Sequence, residues 1–290
     1  MPDWNIKKLL NWSIDYLKDR EFETPRLDAE ILLAYSLGIR RLDLYLQFER
    51  PLQSQELSLY KTLIKRRVNH EPVAYIVGKK EFWSRDFFVT PDVLIPRPDT
   101  EILIEVILKN FRENKSEISG FEMGLGSGAL AITLLSEMPL LKMTAVEISP
   151  KAVEIAHRNA AYHGISGRLN LIAEDFLKYS RDNPNNGSAF DFVCTNPPYC
   201  KSSCLSTLPR SVKDYEPVSA LDGGENGLKY YPEIITFAKR HLKPGGLLVT
   251  EIGEDQGAAV IKLFKDYGFD NTYIKRDYNG LDRVVGGNQP

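Results

Sequence analysis

The sequence predicts an α/β protein: a mostly parallel seven-stranded sheet with helices on both faces, preceded by a small helical domain. Three observations carry that prediction. Apolar residues recur at helical spacing through roughly the first 70 positions. From Phe121 onward, short strand-like runs alternate with amphipathic stretches, the pattern of a parallel sheet whose crossovers are helices. The last two strand-like runs are joined only by Asp277-Tyr278-Asn279-Gly280, too short for a crossover, so they form an antiparallel hairpin.

Taken in order, Ile6, Leu9, Leu10, Ile14 and Leu17 share one helical face, and Leu27, Ile31, Leu32, Tyr35 and Leu37 share another that stops at Gly38. A third helix is expected from Ser54 through Leu63 to His70. Arg40, Arg41, Lys65, Arg66 and Arg67 make small basic clusters there, read as a solvated face or a docking surface. No catalytic constellation falls in this region. After Pro72, Glu81-Phe82-Trp83 and Phe87-Phe88-Val89-Thr90 read as a β-hairpin turning at Ser84-Arg85-Asp86. A helix is expected from Thr100 to Asn110, capped by Asp99 or Thr100. Strands follow at 120–123, 142–147, 169–173, 189–195, 246–251, 270–275 and 282–285. Helices are expected at 127–137, 150–163, 227–241 and 256–266, and an exposed loop at 182–187. The expected division is a helical domain at 1–75, a hairpin linker at 76–95 and a larger domain at 96–290.

Bulk properties exclude several classes. A formal charge of −2 gives no global reason to expect nucleic acid as a partner. Apolar runs such as Ile102-Leu103-Ile104 are broken by Glu101 and Glu105, so no membrane span is expected. Met1-Pro2-Asp3-Trp4-Asn5 lacks a basic stretch followed by an apolar one, so no signal peptide is expected. Three cysteines, Cys194, Cys200 and Cys204, fit a reducing cytoplasm. None of the four histidines lies near them in sequence, so no metal site is expected.

The chemistry sits at strand ends. Gly124-Leu125-Gly126-Ser127-Gly128 follows the first strand and opens a helix, a backbone that a ligand can approach closely. Gly124, Gly126 and Ala129 also satisfy a dinucleotide fingerprint, so nicotinamide and S-adenosylmethionine both remain open at this point. Glu147 ends the second strand, where a carboxylate can accept both ribose hydroxyls. Asp175-Phe176 ends the third, where the acid can accept from an adenine amine beside the ring. Open α/β sheets bind ligands at this carboxyl edge.

The fourth strand end is Asn196-Pro197-Pro198-Tyr199. Each proline fixes its φ and lacks an N–H, and each residue before a proline is held extended, so the carbonyls there point outward without amide partners. With the Asn196 oxygen and the flat face of Tyr199, these four residues suit a planar, uncharged NH2 group. A dehydrogenase has no use for such a site, whereas an amino-group methyltransferase does.

Several blocks together resemble one family. Pro72-Val73-Ala74-Tyr75-Ile76-Val77-Gly78 with Glu81-Phe82, then Ile95-Pro96-Arg97-Pro98-Asp99-Thr100-Glu101, then Glu216-Pro217, Ala220-Leu221 and Gly223-Gly224-Glu225-Asn226-Gly227-Leu228 are similar to the bacterial peptide chain release factor glutamine methyltransferases, the HemK/PrmC family. Glu122 and Leu125 depart from that pattern, which carries Asp before the glycine loop and Thr or Cys after its first glycine. Cys200 stands where an aliphatic residue is usual.

The resemblance implies a class I S-adenosylmethionine-dependent methyltransferase fold, Rossmann-like with a terminal hairpin, in a cytoplasmic enzyme. It implies S-adenosyl-L-methionine held by Gly124, Leu125, Gly126, Ser127, Gly128, Glu147, Asp175, Phe176 and Asn196. The implied substrate is the glutamine side-chain amide of the Gly-Gly-Gln motif in class I release factors, docked by the helical domain. Asn196, Pro197 and Tyr199 are then the catalytic residues, with Pro198 also touching substrate; Arg97, Thr100 and Glu101 stand beside them. A DNA adenine amino-methyltransferase and a non-catalytic module that kept the cofactor fold are the alternatives.

Overall fold

The computed structural model describes residues 4–184 and 190–290. Residues 185–187 of the expected exposed loop lie outside the described residues, and so does Ala189, expected to begin the fourth strand. The chain forms two compact units, residues 1–79 with 210–215, and residues 80–209 with 216–290.

The first unit is helical: α1 (Ile6–Lys18), α2 (Pro25–Leu37), α3 (Arg41–Leu46), α4 (Ser54–Val68) and α5 (Val73–Val77). Asn5 starts α1 by accepting from the Lys8 amide at 2.9 Å, Pro25 opens α2, and Gly38 ends it in the left-handed region at φ 64°. Ile6, Leu10, Leu17, Leu32, Leu33, Leu44 and Tyr60 fill its core. The basic clusters are largely neutralised from within. Arg40 pairs with Asp43, Arg41 with Glu30, Arg66 with Glu71, and Arg67 with the buried Asp28 at 2.7 Å. Helices α3 and α5 were not expected; each is too short to show a helical repeat.

A hairpin of β1 (Lys79–Phe82) and β2 (Arg85–Phe88) follows. Its turn is the two residues Trp83 and Ser84, at φ 50° and 56°, not the three-residue turn expected at 84–86. Two left-handed residues make a mirror-image turn whose usual signal is Asn-Gly, absent here. The turn is held instead by Glu101, which accepts from the Trp83 amide at 2.8 Å.

The second unit continues with α6 (Glu101–Phe111), β3 (Ile118–Met123), α7 (Ala129–Glu137), β4 (Leu141–Glu147), α8 (Pro150–Tyr162), β5 (Leu169–Ala173), α9 (Phe176–Asp182) and β6 (Phe190–Thr195). The short α10 (Arg210–Lys213) belongs to the first unit. The second unit ends with α11 (Tyr231–His241), β7 (Leu242–Glu251), α12 (Gly257–Asp266), β8 (Asp270–Arg276) and β9 (Asp282–Asn288). The sheet order is β5-β4-β3-β6-β7-β9-β8; β9 is antiparallel to both neighbours, and the other pairings are parallel. Helix α6 begins after a 3-10 turn at Pro98–Thr100, and neither Asp99 nor Thr100 caps it through a side chain. Strand β7 starts at Leu242 rather than 246, because Leu242 pairs with Phe190 across a register shift.

Alternate residues of each strand feed opposite cores. Phe192, Cys194, Leu247 and Val249 pack with α6, α7 and α8 on one face. Val193, Leu248 and Phe121 pack with α9, α11 and α12 on the other, Phe121 and Phe237 being 4.5 Å apart at their ring centroids. Connections leave β3 toward β4 and β5 on one side and resume at β6 on the other. The crevice between the carboxyl ends of β3 and β6 is therefore the place this topology reserves for a ligand.

Candidate active site

A cleft of about 1140 Å³, open solvent at its mouth included, lies at that place. Its floor is the glycine loop. Gly124, Gly126 and Gly128 sit at φ 72°, 57° and 83°, where a side chain strains the backbone, and a Cβ on Gly124 or Gly126 meets no atom within 4 Å. Such a Cβ would project into open space that a ligand needs. Leu125 is buried into the core, and Ser127 is buried with its carbonyl accepting from Asn159 Nδ2 at 2.8 Å.

Asn159, wholly buried on α8, was not expected at the site. Its Nδ2 also donates to the Phe88 carbonyl at 3.0 Å, and its Oδ1 accepts from the Phe88 amide at 2.8 Å. One side chain thus ties the glycine loop to β2. Nothing in its sequence setting marks it, since its partners are backbone groups 71 and 32 positions away.

Glu147 holds the loop from the other side. Its Oε2 accepts from the Gly126 amide at 2.8 Å and its Oε1 from the Ser149 amide at 2.9 Å. Each carboxylate oxygen keeps a second lone pair, so both ribose hydroxyls can still be accepted. Asp175 caps α9, its Oδ1 accepting from the Leu177 amide at 2.6 Å and the Lys178 amide at 3.2 Å, and its other oxygen remains for an amine. Phe176 is buried and lines the cleft beside it.

At the end of β6, Asn196 and Pro198 line the cleft. Pro197 is buried, and Tyr199 is turned so that its hydroxyl donates to Glu251 Oε1 at 3.2 Å. The loop's course is set by its neighbours. Thr195 Oγ1 donates to the Met123 carbonyl at 2.9 Å, and Gln256 Nε2 donates to the Tyr199 carbonyl at 3.0 Å. Gly223 packs so closely on the loop that a Cβ there would lie 2.7 Å from Tyr199 Cα. The block after the loop is therefore its backing, with Gly223 required for close approach.

A second wall comes from residues 92–97. Glu216, buried, accepts from the Ile95 amide at 3.1 Å and pairs with Arg97, so the two sequence blocks at 95–101 and 216–228 meet at one carboxylate. Thr100 does more than line the wall. Its hydroxyl donates to Glu251 Oε2 at 2.7 Å and accepts from Asn196 Nδ2 at 3.1 Å. Thr100 is thereby joined to the site, and Glu251 is a residue the sequence did not single out. The carboxyl-edge rule applied to β7 would have found it, because Glu251 ends that strand. Burial pushes its carboxyl up to about 7.

Burial also raises the thiols of Cys194 and Cys200, which disfavours either as a nucleophile. Among the described residues no His/Cys/Asp/Glu group is arranged to hold a metal, and no helix is long and apolar enough to cross a membrane.

The residues fit S-adenosylmethionine. Buried Glu122, which lines the cleft under the loop, has Oε2 without a hydrogen-bond partner, and burial raises its carboxyl well above the usual range. A cationic ligand end placed beside that open oxygen favours the ionised carboxylate and offsets the cost of burying it. The glycine floor, Glu147, Asp175 and the open oxygen of Glu122 belong to the lining of one cleft.

Comparison with known proteins bears on the fold and the family of the chain. Residues 8–78 match the PrmC N-terminal domain, and residues 98–208 match the methyltransferase small domain. The release factor glutamine methyltransferase of Geobacter sulfurreducens is 40% identical over 284 residues, 98% of this chain and 96% of that protein. That of Chlorobaculum tepidum is 37% identical, covering 98% of each. A methyltransferase from Pyrococcus furiosus has the same fold, with a TM-score of 0.50 at 19% identity over 72% of this chain and 91% of that one. With both units matched and the identity spread along nearly the whole length, the chain belongs to the release factor glutamine methyltransferase family.

Proposed function

We propose that this chain transfers the methyl group of S-adenosylmethionine to the side-chain amide nitrogen of the glutamine in the Gly-Gly-Gln motif of class I release factors, in the cytoplasm. The observation that carries the proposal is the held Asn196 at the end of β6. Its Nδ2 donates to Thr100, which leaves Oδ1 to accept, and the residue lines the cleft beside the glycine loop.

An amide nitrogen is a poor nucleophile because its lone pair is delocalised into the carbonyl. The chain's contribution is to position it. Asn196 Oδ1 and the Pro197 carbonyl accept the two amide hydrogens and fix the direction of the nitrogen lone pair. Pro198 walls the cleft, and Tyr199, anchored through its hydroxyl to Glu251, stiffens the loop from behind. Such preorganisation lowers a barrier by several kcal/mol, on the order of 7–11 at best. The same acceptors stabilise positive charge as it develops on nitrogen, and the proton then leaves to solvent. Gly124–Gly128, Glu147, Asp175 and Phe176 hold S-adenosylmethionine, which supplies an electrophilic sulfonium methyl when bound. Residues 1–75 dock the protein substrate. Support for docking comes from α3, where Leu42 and Leu46 are 63% and 74% exposed one turn apart. Residues 76–95 serve as the linker.

The test is incubation with methyl-labelled S-adenosylmethionine and a class I release factor, a Gln-to-Ala change in its Gly-Gly-Gln motif, and duplex DNA as parallel substrates. Label is expected in the unaltered release factor alone. Label in DNA, or in the altered factor equally, defeats the proposal.

A further inference from the structure

Resting on the amide substrate just proposed, the hydrogen-bond chain behind Asn196 carries a second inference. We propose that Glu251, acting through Thr100, is a positioning residue that sets which end of the Asn196 amide faces the substrate.

A threonine hydroxyl has one hydrogen to give. Thr100 is 2.7 Å from Glu251 Oε2 and 3.1 Å from the Asn196 amide, and it cannot donate to both. An ionised carboxylate only accepts, so it takes the Thr100 hydrogen. The hydroxyl oxygen then only accepts from the other side, which requires Asn196 to present its NH2 to Thr100 and its Oδ1 to the cleft. A proton on Glu251 Oε2 reverses every link. The carboxyl donates to Thr100, Thr100 donates to Asn196 Oδ1, and the NH2 turns toward the cleft. Two facing NH2 groups cannot bond, so substrate positioning is lost.

The surroundings place this switch within reach of neutral pH. Glu251 is 1% exposed, and burial favours the protonated form. Asp99, in the 3-10 turn before α6, favours it too, whereas the Thr100 and Tyr199 hydroxyls and Arg283 on β9 favour the charge. Arg283 is shared with Asp277 at 3.1 Å and Asp99 at 3.4 Å, so it is not committed to Glu251. Tyr231 on α11 donates to the Glu251 backbone carbonyl at 3.0 Å, and Burial keeps its phenol neutral. The hydrogen-bond chain is closed at both ends by Asn196 and Tyr199, the first and last residues of the Asn196–Tyr199 loop.

Two readouts test the inference, one of them independent of any substrate. In 15N-labelled protein the Asn196 side-chain NH2 pair is identified by its loss in Asn196→Ala. The pair is expected to shift with an apparent pKa of about 7. It is expected to stay constant in Glu251→Gln and in Thr100→Val, and to titrate again in Thr100→Ser. With release factor as substrate, kcat is expected to rise with pH through the same range in wild type and Thr100→Ser. Thr100→Val is expected to lose about tenfold or more in kcat, the effect of one misdirected hydrogen bond, with S-adenosylmethionine affinity by calorimetry nearly unchanged. Glu251→Gln is expected to lose the acid limb. An NH2 pair that does not titrate in wild type, or one that still titrates in Glu251→Gln, overturns the inference. A pair that titrates as expected in an enzyme inactive on release factor leaves the switch standing and defeats only the substrate assignment.

Discussion

Replacing Glu251 with Gln should make the protein more stable above neutral pH while removing the acid limb of its activity. The carboxyl is buried, and its pKa in the fold is raised from 4.5 to about 7. The folded state therefore holds the proton more tightly than the unfolded chain does. The resulting stabilisation is fully present below the unfolded value of 4.5 and is lost as pH rises through about 7. At about 1.4 kcal/mol per pH unit, the whole interval amounts to roughly 3 kcal/mol. A glutamine is isosteric and neutral at every pH. It can still accept from Thr100 while its NH2 donates to the Tyr199 oxygen. Thermal melts of both proteins across pH are the assay. At about pH 5 the two should melt within a degree or two of each other, and at about pH 8.5 the variant should melt roughly 6–12 °C higher. Parallel curves over that range would refute the burial argument. A variant less stable at high pH would show that the ionised carboxylate is stabilised by its hydroxyl and Arg283 neighbours beyond the cost of burying it. Retaining an acid here at a cost in stability is the mark of a functional site.

Other predictions address the cleft directly. Asn196→Ala removes the proposed substrate acceptor and should lower kcat by about a hundredfold or more, with S-adenosylmethionine affinity changed only a few-fold by calorimetry. Gly126→Ala places a methyl group in open cleft at φ 57°; it should abolish measurable S-adenosylmethionine binding in the same calorimeter while shifting stability by only about 1 kcal/mol. Asn159→Ala strips three hydrogen bonds from the backbone of the half-buried Phe88 and the buried Ser127. It should cost about 2–4 kcal/mol in denaturant titrations and weaken S-adenosylmethionine binding by loosening the glycine loop.

What was legible in the sequence had a local cause. Strand and helix periodicity located the sheet because each element reports its own burial every second or every third to fourth residue. Glycines at 124, 126 and 128 announced a left-handed loop because side chains strain that backbone. The Asn196-Pro197-Pro198-Tyr199 stretch marked a strand end because proline removes the donors a strand needs, and Asn196 and Pro198 stand at the cleft there. The topology then followed from a short final link and the carboxyl-edge rule. By these means the fold class and the place of the cleft were legible without coordinates.

How Asn196 is held depends on packing that no local pattern reports. The Trp83-Ser84 turn escaped notice because its left-handed residues are not the usual glycine and asparagine, and Glu101, distant in sequence, holds it in place. Asn159 escaped because its partners are backbone atoms, which carry no residue signature. Asp175 appeared as a ligand-binding acid, and the fold adds a capping duty through one of its oxygens. Thr100, Asn196, Tyr199 and Glu251 come from three separate segments up to 151 positions apart. A hydrogen bond depends on distances of about 3 Å between such segments, and only packing sets those. The sequence names an asparagine at residue 196; the hydroxyl and the buried carboxyl linked to its amide are brought there by the fold.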